Sequence, residues 1–306
     1  MNKFLLALGL MLLLCGWGQA QSKTQEDRRK MAKDRVFDWQ GHRGARGLAP
    51  ENTAPAFLRA LEFPEIVTLE LDLVVSADEQ LVVSHEPWLS AAICAHPDGT
   101  PVLPEEEERL LIFKRTYLEI QEFDCGARGN SRFPEQEAQS AHKPTLDVVV
   151  KAVEEFCEST GREIPLFNIE IKSQPEWDGV KTPAPERFAQ LVAGKLRELE
   201  LEERACIQSF DPRSLRAMRA IAPHITLALL VENLKGLEDN VASLGFVPSI
   251  YSPYYKLVRP STVKKAHQMN MKIIPWTVNE TVQMKRLQAM GVDGIITDYP
   301  NRIPRD

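Results

Sequence analysis

Thr68, Glu70 and Asp72 alternate with Leu69, Leu71 and Leu73 inside one strand-like run. Side chains of a strand alternate between faces, so two carboxylates project together from one side and three leucines from the other. Two neighbouring carboxylates repel each other and are costly to desolvate. A lysine or arginine neutralises such a pair, and so does a hard divalent ion, which prefers oxygen ligands. The run 166–172 repeats the pattern, with Asn168, Glu170 and Lys172 on one face and Phe167, Ile169 and Ile171 on the other. Buried parallel strands normally read apolar on both faces, so these polar faces need partners inside the fold. Glu170 completes a three-carboxylate site with Glu70 and Asp72, and Lys172 pairs with a carboxylate or grips an anion.

Imidazoles add acid–base chemistry near neutral pH. His42-Arg43-Gly44 ends an apolar run, and a strand-end histidine beside an arginine, hinged by glycine, suits a site that holds an anion and moves a proton. Ser84-His85-Glu86-Pro87 delivers a second histidine. Pro50-Glu51-Asn52-Thr53 opens a helix, where Glu51 answers the helix dipole and Asn52 caps, unless both belong to the site. His96, His142, His224 and His267 are read as incidental.

These residues need a scaffold. Strand-like runs at 36–41, 66–75, 166–171, 205–210, 225–231, 249–252, 272–278 and 294–297 alternate with helical stretches such as 185–199, 212–221, 260–269 and 280–290. Prolines in the first helical turns, and Asn279 just before the last helix, are start signals. Eight strands alternating with helices predict a closed parallel (β/α)8 barrel of the TIM type, whose site lies at the C-terminal strand ends. The run 81–84 follows the second strand too closely for a parallel crossover, so it is read as the return arm of a hairpin above the barrel mouth. An irregular stretch, 86–143, is read as an inserted subdomain, its acidic run Glu105–Glu108 as a solvated helix face, and Thr145 as the cap of the helix where the barrel resumes.

The chain has 306 residues, 43% hydrophobic and 26% charged, which excludes wholesale disorder and suits one enzyme-sized barrel. Its net charge of -6 argues against a nucleic-acid partner. Lys3, the apolar run 4–14 and the small residues Gly18 and Ala20 read as a secretory signal over 1–20, too short for a stable membrane anchor. A polar linker, 21–35, follows, and the barrel spans 36–306. In an oxidising compartment, Cys94 and Cys125, both in the insertion, are the local choice for a disulfide, while Cys157 and Cys206 suit buried thiols.

Taken in order, His42-Arg43-Gly44, Pro50-Glu51-Asn52-Thr53, Glu70-Leu71-Asp72, Val82-Val83-Ser84-His85, Glu170-Ile171-Lys172, Gln208-Ser209-Phe210, Trp276-Thr277-Val278-Asn279 and the run 291–298 resemble the glycerophosphodiester phosphodiesterase family. The resemblance implies His42 and His85 as an acid–base pair. It further implies Glu70, Asp72 and Glu170 around one divalent cation, Ca²⁺ before Mg²⁺, with Arg43 and Lys172 on the phosphate and Trp276 on the glycerol side. The expected activity is hydrolysis of a small glycerophosphodiester to glycerol 3-phosphate and an alcohol, in the periplasm or outside the cell. A lysophospholipase D and a non-catalytic glycerophosphodiester-binding protein are the alternatives. Departures from the family pattern are Glu86 in place of aspartate, Asp78-Glu79-Gln80 in place of an Asp-Gly turn, and Asn270 where a glycine is usual.

Overall fold

The computed structural model describes residues 37–305. The export signal and the polar linker predicted from the sequence lie outside the described residues. Strands β1 (Asp38–Gly41), β2 (Ile66–Val75), β4 (Leu166–Ile171), β5 (Ala205–Ser209), β6 (Thr226–Val231), β7 (Ile250–Pro253), β8 (Lys272–Ile273) and β9 (Gly294–Thr297) are parallel neighbours in the order β8-β7-β6-β5-β4-β2-β1-β9. The circle closes between the ends of that path through backbone bonds from Asp293 N to Ile273 O (2.9 Å), Ile296 N to Pro275 O (3.0 Å) and Val278 N to Ile296 O (3.0 Å). The predicted strand 272–278 is therefore regular for two residues only. Pro275 has no N–H to give to a ladder, and the chain continues along β9 irregularly, which is what brings Trp276 to the mouth.

Helices α1 (Ala54–Leu61), α3 (Leu146–Thr160), α4 (Pro185–Glu198), α5 (Pro212–Ile221), α6 (Leu237–Leu244), α7 (Pro260–Gln268) and α8 (Thr281–Met290) accompany the strands; α2 (Tyr117–Gln121) is a short turn outside the barrel. Outward strand residues such as Leu69, Leu71, Phe167, Ile169 and Ile207 are fully buried in one cluster with helix residues Phe57, Val149 and Phe188. The inward side is divided. Ala228, Ile250, Ile274 and Ile296 form a small apolar cluster of their own, whereas β1, β2, β4 and β5 contribute buried Gln40, Thr68, Glu70, Asp72, Asn168, Glu170 and Gln208. Half of the barrel interior is thus polar, as the period-two pattern of β2 and β4 predicts.

β3 (Leu81–Val83) returns antiparallel on β2, with Val75 opposite Leu81. Glu79 takes the left-handed conformation in its turn (φ 59°), as does Asn270 (φ 59°) before β8; both stand where glycine is usual. Thr145 occupies the cap position of α3, but its side chain makes no capping bond. Asn279 does not cap α8, whose cap is Glu280; its amide is used elsewhere, as described below.

Segment 86–143 packs Leu89, Ile93, Val102, Ile112, Ile120 and Phe123 into one apolar cluster with Val74 of β2 and Val82 of β3, and a Cys94–Cys125 disulfide crosses it. Cys157 and Cys206 are free. The acidic run belongs to a 3-10 helix, Pro104–Arg109, with no buried residue. The end of this segment leans on the loop after β1: Gln136 Nε2 donates to Arg46 O (2.7 Å), Glu137 N to Leu48 O (3.0 Å), and the Arg46 guanidinium lies 4.5 Å from the centre of the Phe133 ring. No helix among the described residues is long and apolar enough to cross a membrane.

Candidate active site

Register places the carboxylates. Asp72 on β2 lies opposite Glu170 on β4, and Glu70 opposite Asn168. One ligand atom from each of Glu70, Asp72 and Glu170 lies within 4.8 Å of the others, and all three residues are buried. Burial and the Asp72 charge push Glu70 well above the ordinary carboxylate range, and burial raises Glu170 to about 7. Burial works against Asp72 too, but the Arg43 guanidinium holds it well below that range. Asp72 Oδ1 has no hydrogen-bond partner; the nearest cation, Lys172 Nζ, is 3.7 Å away. Three hard oxygen donors, two of them unfavourable as bare anions and one with an orphaned atom, fit a divalent cation of the Ca²⁺ or Mg²⁺ kind.

The cations of the site are engaged. Arg43 has a left-handed backbone (φ 51°), gives its N–H to Glu70 Oε2 (2.9 Å), and pairs through its guanidinium with Glu51 Oε1 (2.7 Å) and Asp72 Oδ2 (3.1 Å). Lys172 pairs with Glu170 Oε1 (2.9 Å). Asn52 (φ 56°) donates from Nδ2 to Asp72 Oδ2 at 2.8 Å, while Thr53, one residue later, caps α1. Asn52 is therefore a support of Asp72 and not the helix cap, and Glu51 holds Arg43.

The two imidazoles are tethered alike. His42 Nδ1 lies 2.6 Å from Asp298 Oδ1 and its Nε2 3.9 Å from Glu70 Oε2. His85 Nδ1 lies 2.8 Å from Glu86 Oε1. A carboxylate at Nδ1 accepts that proton and leaves Nε2 free for another partner. Burial, then the Arg46 charge, pushes His42 down to about 4; burial, then Arg43, also lowers His85. Burial alone would raise the Glu86 carboxyl, but its bond to His85 holds it at about 2. The longer Glu86 thus still delivers a carboxylate to the histidine.

Asp298 anchors the other side. It accepts two bonds from Arg46 (Nε 2.8 Å, NH2 3.1 Å) and one from Asn279 Nδ2 (2.7 Å), while Asn279 Oδ1 accepts from its backbone N–H (3.0 Å). The motif containing Asp298 is visible in the sequence without a role for that residue, and nothing there singles out Arg46. Their partners lie some 250 residues apart, so spacing carries no signal.

A cavity of about 130 Å³ at the C-terminal strand ends is lined by His42, Arg43, Arg46, Glu70, His85, Glu170, Gln208, Phe210, Leu230, Trp276, Thr277 and Ile296. Polar and titratable groups form one wall and apolar groups the other. Phe210 meets Trp276 edge-on at 5.3 Å, and Trp276 Nε1 donates to Ser252 O (2.8 Å). Of the predicted site residues, His42, His85, Glu70, Glu170, Arg43 and Trp276 line this cavity; Asp72, Lys172, Glu51 and Asn52 stand behind them. His96, His142, His224 and His267 are absent from it.

Residues 42–302 match the model of the glycerophosphoryl diester phosphodiesterase family. The chain is 31% identical over 263 residues to a glycerophosphodiester phosphodiesterase of Caldanaerobacter subterraneus, covering 86% of this chain and 94% of that one. A solved structure from Silicibacter pomeroyi that carries the same family name superimposes with a TM-score of 0.77 at 31% identity, over 88% of this chain and 92% of that one. An Oleispira antarctica phosphodiesterase, solved in complex with sn-glycerol-3-phosphate, shares the fold at 20% identity and a TM-score of 0.68, over 89% of this chain and 97% of that one. With its barrel, its polar strand faces and its paired imidazoles in the order that the motifs require, this chain belongs to the glycerophosphoryl diester phosphodiesterase family and is a phosphodiesterase.

Proposed function

We propose that the protein is an exported glycerophosphodiester phosphodiesterase that depends on a divalent cation, Ca²⁺ by preference, and uses His42 and His85 as its acid–base pair. The observation that carries this reading is the convergence of three buried carboxylates within 4.8 Å at the wall of a cavity lined by both imidazoles. Glu70, Asp72 and Glu170 would hold the cation, which when bound supplies Lewis-acid stabilisation of charge on a phosphoryl oxygen. Arg43 and Lys172 add two positive charges beside the same carboxylates, which with the cation would meet the phosphodiester anion. Glu51 and Asn52 keep Arg43 and Asp72 in place.

Proton transfer falls to the two Nε2 atoms. One imidazole takes the proton of the attacking hydroxyl, either water or the neighbouring glycerol hydroxyl, and the other gives its proton to the departing alcohol oxygen. The proton count balances: one enters the first ring as one leaves the second, which enters the step as an imidazolium, and where the glycerol hydroxyl attacks, water then opens the cyclic phosphate with the two roles reversed. Asp298 and Glu86 stabilise whichever ring is positive. Replacing Asp298 with asparagine removes that carboxylate and is expected to lower kcat by about 10²-fold or more while KM changes little; steady-state kinetics check it. Phe210 and Trp276 offer an apolar wall to the glycerol carbons.

Export rests on Lys3, the apolar run 4–14 and the small residues Gly18 and Ala20. The test is incubation of purified protein with glycerophosphocholine and with lysophosphatidylcholine, with and without Ca²⁺, assaying glycerol 3-phosphate and choline. Release of glycerol 3-phosphate from glycerophosphocholine only with Ca²⁺ is expected. Binding without release, or preference for lysophosphatidylcholine, would refute the assignment.

A further inference from the structure

Beneath the carboxylate cluster, amide side chains cross the barrel interior in one hydrogen-bonded line. Thr68 Oγ1 donates to Asp38 Oδ1 (2.7 Å), and Gln40 Nε2 donates to Asp38 Oδ2 (2.8 Å). Asn168 Nδ2 donates to Gln40 Oε1 (2.8 Å) and to Gln208 Oε1 (3.1 Å). Gln208 Nε2 donates to Glu70 Oε1 (2.8 Å). Gln40, Asn168, Gln208 and Glu70 come from four strands, and none is more than 3% exposed.

The chemistry of the two ends fixes the direction of the line. A carboxylate that holds a cation is ionised and only accepts, so Gln208 has to turn its amino group toward Glu70; at the other end Gln40 turns its amino group toward Asp38, which also accepts from the Thr68 hydroxyl. Both glutamine carbonyls then point inward and need a proton each. Asn168 provides both from one amino group, and its own Oδ1, buried, is left without a hydrogen-bond partner. An unsatisfied buried acceptor opposes folding, so this orientation is held against a cost and not adopted for Asn168's own benefit. What it secures is the far end: Glu70 is gripped on Oε1 by Gln208 and on Oε2 by the Arg43 backbone N–H (2.9 Å).

We propose that Asn168 is a positioning residue for the reaction, acting through Gln208 to present an N–H, and never a carbonyl, to the metal-holding Glu70. The inference rests on the reading of Glu70, Asp72 and Glu170 as a divalent-cation site. It also gives an unusual sign. Asn168→Asp puts a further negative charge near that site, which by simple electrostatics tightens cation binding. In the line described, however, an aspartate accepts only, so Gln208 turns its amino group inward and its carbonyl toward Glu70, which weakens cation binding.

Calorimetric titration of the purified chain with Ca²⁺ alone tests this, together with kcat and KM on glycerophosphocholine. N168D is expected to bind Ca²⁺ about tenfold to a hundredfold more weakly than wild type, with kcat reduced and KM little changed. Q208L is expected to lose as much, and the double variant N168D/Q208L no more than Q208L alone, because the hydrogen-bonded route from Asn168 to the ion runs through Gln208 and the added charge by itself can only tighten binding. Circular dichroism verifies folding; should N168D not fold, N168L carries the same comparison, with a smaller loss because it removes the two donors without reversing the line. Ca²⁺ affinity in N168D equal to or above wild type, or a double variant weaker than Q208L, would overturn the proposal while leaving the cation site intact. A wild-type chain that binds no divalent ion overturns the cation site itself, and this role of Asn168 with it.

Discussion

His42→Ala is expected to lower kcat on glycerophosphocholine by about 10²–10⁴-fold, and His85→Ala by a similar factor, with both variants folded. At about 1.4 kcal/mol per decade this is about 3–5 kcal/mol of transition-state stabilisation for each ring. The expectation follows from the tethers: each Nδ1 is occupied by a carboxylate, Asp298 for His42 and Glu86 for His85, so each ring offers Nε2 alone, and both rings line the same cavity. If the rings act as a pair, the double variant loses little beyond either single one, since a proton taken up without one delivered does not complete the reaction. His42 is 8% exposed, so its truncation also opens a small void; thermal unfolding separates that effect from a loss of chemistry. Near-wild-type turnover by either variant removes the role assigned to that histidine.

Chelation is expected to abolish activity, and Ca²⁺ or Mg²⁺ to restore it. Glu170→Gln, which deletes one of three anionic donors, is expected to weaken Ca²⁺ binding by about a hundredfold or more, beyond the ~10–100-fold typical of losing an outer support. The pH dependence has a definite sign. Without the ion, burial raises Glu170 from its ordinary value to about 7. The folded chain therefore binds this proton more tightly than the unfolded one, and the stabilisation it brings is present at low pH and lost as pH rises through about 7. A cation must displace that proton, so binding tightens as pH rises. The increase in unfolding temperature on adding Ca²⁺ is thus expected to be larger at pH 8 than at pH 5, because the stabilisation follows the affinity. Stabilisation that is equal at both pH values would contradict proton displacement from Glu170.

The polar half of the barrel was readable because polar residues with a period of two are rare in buried strands. Once Thr68, Glu70 and Asp72 were seen to alternate with leucines, and Asn168, Glu170 and Lys172 with Phe167, Ile169 and Ile171, their common direction followed from strand geometry alone. Strands 66–75, 166–171 and 294–297 were accordingly correct to the residue. The reading of 272–278 was too long because hydrophobicity continues past Pro275 although ladder bonding does not. Partnership across the fold was the less legible part. Asn279 looked like a helix cap and instead bonds Asp298; Asn52 looked like another and supports Asp72. Asparagine side chains serve either purpose equally well, and only the folded placement of the loop before α8 beside the end of β9, and of the loop before α1 beside β2, decides between them. Arg43 and Lys172 were legible as charges, and a carboxylate partner for Lys172 was expected, but the particular partners Glu51, Asp72 and Glu170 were not legible. Glu86, seen in the sequence as a departure from the family pattern, becomes intelligible once its carboxylate is found at His85 Nδ1.

Diffraction from crystals soaked in Mn²⁺, recorded at an anomalous wavelength, tests the central claim most directly. The account predicts one strong peak within coordinating distance of carboxylate oxygens of Glu70, Asp72 and Glu170, with His42 and His85 facing the same cavity. A cluster with no peak at saturating Mn²⁺, in protein that hydrolyses glycerophosphocholine, would contradict it.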